Sequence, residues 1–155
     1  MTQDDVDVVL AIEQVVQRFP WTRGNFVDAL GSGYLCCVDE AEGDGIFGYA
    51  ILMPAADEAE LLTIGVAAAQ QRKGLGRAML AGMLVMAREK SMQRVFLEVC
   101  FSNVAAIALY RSAGFGEIGV RRGYYRNANG SEDAVTMACD LSLLPRERER
   151  GGGEG

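Results

Sequence analysis

From residue 2 to residue 17 the apolar positions Val6, Val9, Leu10, Ile12, Val15 and Val16 return every three or four residues. That spacing predicts an amphipathic helix with Thr2 as its N-cap. Phe19-Pro20-Trp21 interrupts the pattern, and Thr22 is placed to cap a second, shorter helix reaching about Leu30. The period then changes. Residues 34–38 and 46–53 read as two strands of a hairpin, joined by the acidic, glycine-bearing turn 39–45. Residues 60–66 read as a third strand, in which Gly65 marks either a bulge or a close backbone approach.

Leu75, Met79, Leu80, Met83, Leu84 and Met86 give residues 74–90 a helical pattern with an apolar surface wide enough to lie against a sheet. Residues 94–100 form a strand with Phe96, Glu98 and Cys100 on one face and Val95, Leu97 and Val99 on the other. A helix over 103–112 follows, closed by Gly114. Strands over 115–123 and 133–141, joined by the turn-rich stretch 127–131, complete the pattern. The strand–helix–strand unit over 60–100 requires a parallel pair with a right-handed crossover, and the other strands pair antiparallel. The predicted class is a mixed α/β layer protein, one domain over residues 1–144. The tail, 145–155, is charged and then glycine-rich and is expected to be disordered.

Composition narrows the chemistry. Half of the 155 residues are apolar, enough for one sizeable core. No run of eighteen apolar residues occurs and the first residues lack a basic-then-apolar signal, so a cytoplasmic protein away from membranes is expected. Cys36 and Cys37 are adjacent while Cys100 and Cys139 stand alone, and there is no histidine, so no metal site is expected. The lack of histidine also excludes Ser-His and Cys-His nucleophiles. Acid–base work then falls to carboxylates, tyrosine, lysine or water. The net charge of −6 argues against direct nucleic-acid binding and suits a basic protein or peptide as partner.

Two segments carry candidate chemistry. The first is Gln71-Arg72-Lys73-Gly74-Leu75-Gly76-Arg77, two glycines and three cations at a helix start, where bare N–H groups and the helix dipole favour an anion of phosphate size. A phosphate-binding NTPase loop requires Gly-Lys-Ser/Thr, but Gly76 is followed by Arg77-Ala78. A dinucleotide fingerprint requires a third small residue and a tight turn directly after the strand; here Met79 and the intervening residues 67–73 stand instead. Glu98 does lie near the distance of a ribose-binding acid, so that reading stays open beside a coenzyme A pyrophosphate cradle. The second segment runs from Leu97-Glu98-Val99 to Tyr110. A carboxylate in mid-strand is costly to bury unless it is hydrated, paired or in use. Asn103 and Tyr110 are nearly two helical turns apart and share one side of their helix.

Together the two segments resemble the GNAT superfamily of acetyl-CoA-dependent N-acetyltransferases, whose signature Gln/Arg-x-x-Gly-x-Gly/Ala matches Gln71, Gly74 and Gly76. Phe19-Pro20-Trp21, Leu97-Glu98-Val99, Ser102-Asn103, Ala106 to Tyr110, Gly114-Phe115, Arg121-Arg122, Tyr124-Tyr125 and Glu132-Asp133-Ala134 look like the subgroup acting on the N-terminal alanine of a small-subunit ribosomal protein. The likeness spans about residues 3–141. It implies a GNAT-type fold in which strands 60–66 and 94–100 splay apart around the pantetheine arm. The backbone of Ile64, Gly65 and Val66 then holds that arm, with one amide facing the thioester carbonyl. Arg72, Lys73, Gly74, Leu75, Gly76 and Arg77 take the pyrophosphate, and Asn103 binds the coenzyme. Glu98 takes the general-base role and Tyr110 the general-acid role, while Tyr124 and Tyr125 line the peptide groove. The implied co-substrate is acetyl-CoA, without a metal. The implied partner is the N-terminal peptide of a basic ribosomal protein, met by a monomer or weak dimer.

Three departures accompany the likeness. Cys100 stands where the resemblance implies arginine after Glu-Val, the sequence begins almost at the first helix where the family has an opening edge strand, and Gly65 replaces the more usual alanine, a change expected to be harmless. The chemistry is consistent with the residues alone. An α-amine with a pKa of about 7.7–8.0 is roughly one-fifth neutral near pH 7.3, whereas lysine is neutral about one time in a thousand. A carboxylate working through water therefore suffices for an N-terminal amine, and tyrosine stays protonated to donate. Direct transfer needs no enzyme nucleophile, and an acetyl-Cys100 route is the weaker reading. Acetylation of small amines or lysine side chains, and a non-catalytic acyl-CoA-binding module, are the alternatives.

Overall fold

The structure, a computed structural model, describes residues 1–43, 45–71, 74–127 and 130–144; Arg72, Lys73 and the tail 145–155 lie outside the described residues. Its main elements are α1 (Val6–Val16), α2 (Arg23–Gly31), β1 (Leu35–Ala41), β2 (Gly45–Ala55), β3 (Glu58–Val66), α3 (Leu75–Glu89), β4 (Arg94–Cys100), α4 (Val104–Ser112), β5 (Gly116–Asn127) and β6 (Gly130–Asp140). The strands form one sheet in the order β1-β2-β3-β4-β6-β5. Among the described residues only β3 and β4 run parallel. This is the expected mixed α/β class with a mostly antiparallel sheet.

Helices cover both faces because the strands alternate. Leu80 and Leu84 of α3 pack with Val95 and Leu97 of β4 and Met137 of β6, and α4 joins them through Ile107, Leu109 and Tyr110. On the opposite face Val6 and Val9 of α1 and Phe26 of α2 pack on Tyr49 and Ile51 of β2. Thr22 caps α2 as expected, accepting from the Asn25 N–H at 3.2 Å. Thr2 does not cap α1 with its hydroxyl. Residues 3–5 form a 3₁₀ turn in which the Asp5 carboxylate accepts from the Thr2 N–H at 2.8 Å.

The β3–β4 pairing is short and leaves a gap in the sheet. It runs from Glu58 opposite Arg94 to Leu61 opposite Leu97 and stops, although β3 stays paired to β2 as far as Val66 and β4 to β6 as far as Cys100. The cause is a bulge: Leu61 faces Leu52 and Thr63 faces Ile51, leaving Leu62 as an extra residue. A bulge bends and twists its strand, and here it turns β3 away from β4. The Glu13 carboxylate of α1, itself buried, holds the bend from one side. It accepts hydrogen bonds from the Tyr49 hydroxyl (2.6 Å), the Thr63 hydroxyl (2.9 Å) and the Trp21 N–H (2.9 Å).

Gly65 is therefore a close approach and not the bulge. It lies opposite Tyr49, and a Cβ on it would fall inside van der Waals contact with the phenol ring and hydroxyl that Glu13 fixes. In this fold an alanine at this position would clash with Tyr49, so packing itself requires the glycine.

Candidate active site

One cleft of about 890 Å³ passes through the wedge and opens toward both faces of the sheet. On the α3–α4 side it is lined by Gly74, Gly76, Arg77, Asn103 and Tyr110; on the α1 side Glu60, Glu98, Phe19, Tyr124 and Tyr125 line it.

The α3 end has the character of an anion cradle. Gly74 is the N-cap with φ +75°, a left-handed conformation that costs a side-chain-bearing residue about 1–2 kcal/mol. Among the described residues no side chain caps this helix and no acid lies in its first turn, so its leading N–H groups are open with the dipole behind them. Gly76 is less constrained: a Cβ there would sit 3.7 Å from Val66 and 4.0 Å from Leu109, ordinary contact. Gln71 closes the loop, donating through Nε2 to the Val66 carbonyl at 2.9 Å. Asn103 caps α4, its Oδ1 accepting from the Ala106 N–H at 3.2 Å, which leaves the amide NH₂ on the cleft.

Along the wedge wall the three expected backbone residues are not equivalent. Gln17 Nε2 donates to the Ile64 carbonyl at 2.7 Å and Gln71 to that of Val66, so both residues turn their polar groups toward the gap. The Ala67 N–H donates to Phe47 on the β2 side. By the alternation of an antiparallel ladder, Gly65 points its N–H and C=O at β2. Ile64 and Val66 supply the open amides, and Gly65 supplies room.

Glu98 projects from β4 toward the α1 side and is only 8% exposed. One oxygen accepts from the Thr136 hydroxyl at 2.6 Å, the other from Arg121 Nη1 at 2.9 Å. The Arg121 side chain, 59% exposed, lies over the Tyr124 ring with its guanidinium carbon 4.5 Å from the centroid. Tyr125 donates to the Glu98 carbonyl at 2.8 Å, and burial raises the pKa of its hydroxyl. Tyr110 approaches from α4, its ring edge-on to Phe115, and burial pushes its pKa up to about 12. The proposed base and acid thus reach the wedge from opposite faces of the sheet.

The loop between α1 and α2 crosses the cleft, a contribution the sequence pattern showed only as a helix break. Its Trp21 end is anchored by the amide bond to Glu13 and by ring contact with Phe26, with centroids 5.0 Å apart. This leaves Phe19 to stack on Tyr125 at 5.1 Å. Arg18 reaches further, pairing with Glu132 at 2.6 Å and donating to the Ser102 hydroxyl at 2.9 Å. The Cys100 thiol lies in the field of Glu132 and Arg18, and burial first, then Glu132, raises its pKa. A protonated buried thiol is a poor nucleophile. On β5, two extra residues between Arg121 and Tyr125 loop around Asp133, whose carboxylate accepts from the Gly123 N–H at 2.8 Å. That irregularity aims Arg121, Tyr124 and Tyr125 at the cleft.

Every described residue expected at the site borders this cleft except Leu75, whose place is in the first turn of α3. Glu60, Gln17, Phe19, Arg121 and Thr136 were not singled out by spacing, because each depends on contacts between elements distant in sequence.

Comparison with known proteins agrees with this geometry. The acetyltransferase (GNAT) family matches residues 8–115. The ribosomal protein bS18-alanine N-acetyltransferase of Escherichia coli strain K12 is 39% identical over 139 residues, 90% of this chain and 93% of that protein. The N-alpha-acetyltransferase RimI of Mycobacterium tuberculosis is 40% identical over 125 residues, covering 78% of this chain and 76% of its own length. The crystal structure of the E. coli ribosomal-protein-S18-alanine N-acetyltransferase has a TM-score of 0.84 at 37% identity, covering 95% of this chain and 94% of that one. A spermidine N-acetyltransferase chimera from Vibrio cholerae shares the fold alone, at 17% identity and a TM-score of 0.80. The chain belongs to the acetyltransferase (GNAT) family.

Proposed function

We propose that this acetyltransferase moves the acetyl group of acetyl-CoA onto the N-terminal alanine of a small-subunit ribosomal protein. The relatives bearing that activity by name support the substrate class. The observation that carries the mechanism is the opposition of Glu98 and Tyr110 across a wedge lined by open amides. The coenzyme lies with its pyrophosphate on the α3 cradle and Arg77, and its thioester between the strands, where an amide of Ile64 or Val66 stabilises the developing oxyanion.

The amine enters from the α1 side and attacks the thioester carbonyl directly. Its proton passes through water toward Glu98, which Thr136 and Arg121 orient. Carbon–sulfur cleavage leaves a thiolate on the α4 side, where the Tyr110 hydroxyl, protonated throughout the working range, donates to it. Phe19, Tyr124 and Tyr125 flank the incoming chain, and the enzyme acts in the cytoplasm.

A peptide carrying the ribosomal protein's N-terminus, compared with polyamines and an internal-lysine peptide, tests the substrate. Mass spectrometry is expected to find one acetyl group on the first residue. Turnover of only the small amines sinks the substrate assignment. E98Q and Y110F are each expected to lower kcat by about 10²–10⁴-fold while leaving coenzyme affinity within a factor of about two. Unchanged rates in both variants remove Glu98 and Tyr110 from the acid–base roles.

A further inference from the structure

The reaction must dispose of two amine protons, since most N-termini arrive as ammonium below their pKa of about 7.7–8.0. Glu98 is placed for the proton lost after attack. The earlier one, shed before the nitrogen lone pair exists, has no acceptor so far.

Glu60 sits on β3 opposite Phe96, one residue before the β3–β4 ladder ends. Phe96 and Glu98 are two apart on β4 and share a face, so Glu60 and Glu98 flank the mouth of the wedge on the same side. Both line the cleft, with Arg121 and Tyr124 beside them. Of the two carboxylates, Glu98 is fixed by Thr136 and Arg121, while Glu60 is half-buried. We infer that Glu60 is a second catalytic carboxylate, which binds the substrate's α-ammonium and takes its first proton, leaving Glu98 ionised for the second.

The inference rests on the amine-acetylation reading above. The step balances: the ammonium N–H bond breaks, its electron pair stays on nitrogen, and the proton forms an O–H bond on Glu60. The carboxyl then releases that proton to solvent through the open cleft. The charged and titratable groups facing Glu60 are Glu98 on β4 and Arg121 and Tyr124 on β5; Glu13 of α1 lines the same cleft with both oxygens engaged. Burial first, then the Glu98 charge, raises the Glu60 pKa, and Arg121 partly offsets them.

The test is the pH dependence of kcat/KM for the Ala-initiated peptide in wild type, E60Q and E60D. Without Glu60 the enzyme draws only on the neutral amine, so the acid limb of E60Q moves up to about pH 7.7–8.0. The loss relative to wild type is then about tenfold at pH 7, about a hundredfold at pH 6, and nearly absent at pH 9. E60D, which retains a carboxyl, returns the limb toward lower pH. E98Q stays impaired at every pH. A pH-independent loss in E60Q, no loss, or a wild-type limb already at the amine pKa overturns the assignment. Because the fold holds the Glu60 proton more tightly than the unfolded chain does, its ionisation costs stability as pH rises past about 4.5. E60Q is therefore expected to unfold at an unchanged or higher Tm at pH 7, which separates lost chemistry from lost structure. If the wild type acetylates a polyamine and not the peptide, the peptide reading falls but the Glu60 role is read from the same comparison on that amine. The E60Q limb then lies near the polyamine's own pKa.

Discussion

At the scale of single residues, the side chains proposed for acid–base work are held in place by their neighbours. Glu98 is aimed by Thr136 and Arg121, and its carbonyl is engaged by Tyr125. The raised pKa of Cys100 argues against an acetyl-cysteine intermediate. The cation beside Glu132 is Arg18 on the loop. Gly65 offers the sharpest test of packing, because its missing side chain makes room for the Tyr49 phenol locked onto Glu13. Gly65→Ala is expected to cost about 1–3 kcal/mol, as overpacking of a close-packed core does. Thermal unfolding checks this, with Tm falling about 2–4 °C for each kcal/mol in a chain of this size. An unchanged Tm would mean that Tyr49 shifts freely, contrary to its buried hydrogen bond.

At the scale of elements, the decisive feature is that β3 changes partners along its length. It pairs with β4 up to Leu61 and then, past the Leu62 bulge, only with β2. The departing half of the strand leaves amides open beside the start of the following helix, where the proposed function places the coenzyme's anionic end. Two glycines mark the helix start for different reasons. Gly74 is demanded by its positive φ, while Gly76 has space for a methyl group. Gly74→Ala is expected to weaken coenzyme binding about 5–30-fold, the equivalent of 1–2 kcal/mol of backbone strain. Gly76→Ala should stay within a factor of about three. Calorimetric titration with coenzyme A measures both, and equal losses would contradict this division of roles.

At the scale of the whole molecule, the sheet divides the cleft's walls. Helices α3 and α4 with the glycine loop occupy one face and α1 and α2 the other, and in the proposed reaction coenzyme and amine meet in the wedge between them. The net charge of −6 favours a cationic partner arriving from solution. The KM for a basic N-terminal peptide is therefore expected to rise severalfold between about 0.05 and 0.3 M salt, as the Debye length shrinks from about 14 to 6 Å. A KM indifferent to salt would assign recognition to the aromatic groove alone. Among the described residues no helix is long and apolar enough to cross a membrane.

The local code determined much of this protein. Hydrophobic period placed the helices and strands, with 94–100 as observed in β4. Thr22 announced the start of α2, and the βαβ spacing required the parallel pair. That the glycine loop, Glu98 and Tyr110 would border one cleft was legible, because each belongs to a short spacing or to a familiar motif. Tertiary structure decided what spacing does not encode. The bulge fell at Leu62, an unremarkable apolar residue, because Thr63 turns inward to Glu13 across a sequence separation of fifty residues. Gly65 became obligatory through a tyrosine on the neighbouring strand. Likewise Arg121 met Glu98, Phe19 met Tyr125, and Glu60 came to face Glu98 only once the sheet had assembled. A side chain's local pattern fixes which way it points from its own element, whereas its partners are chosen by the packing of elements far apart in the chain.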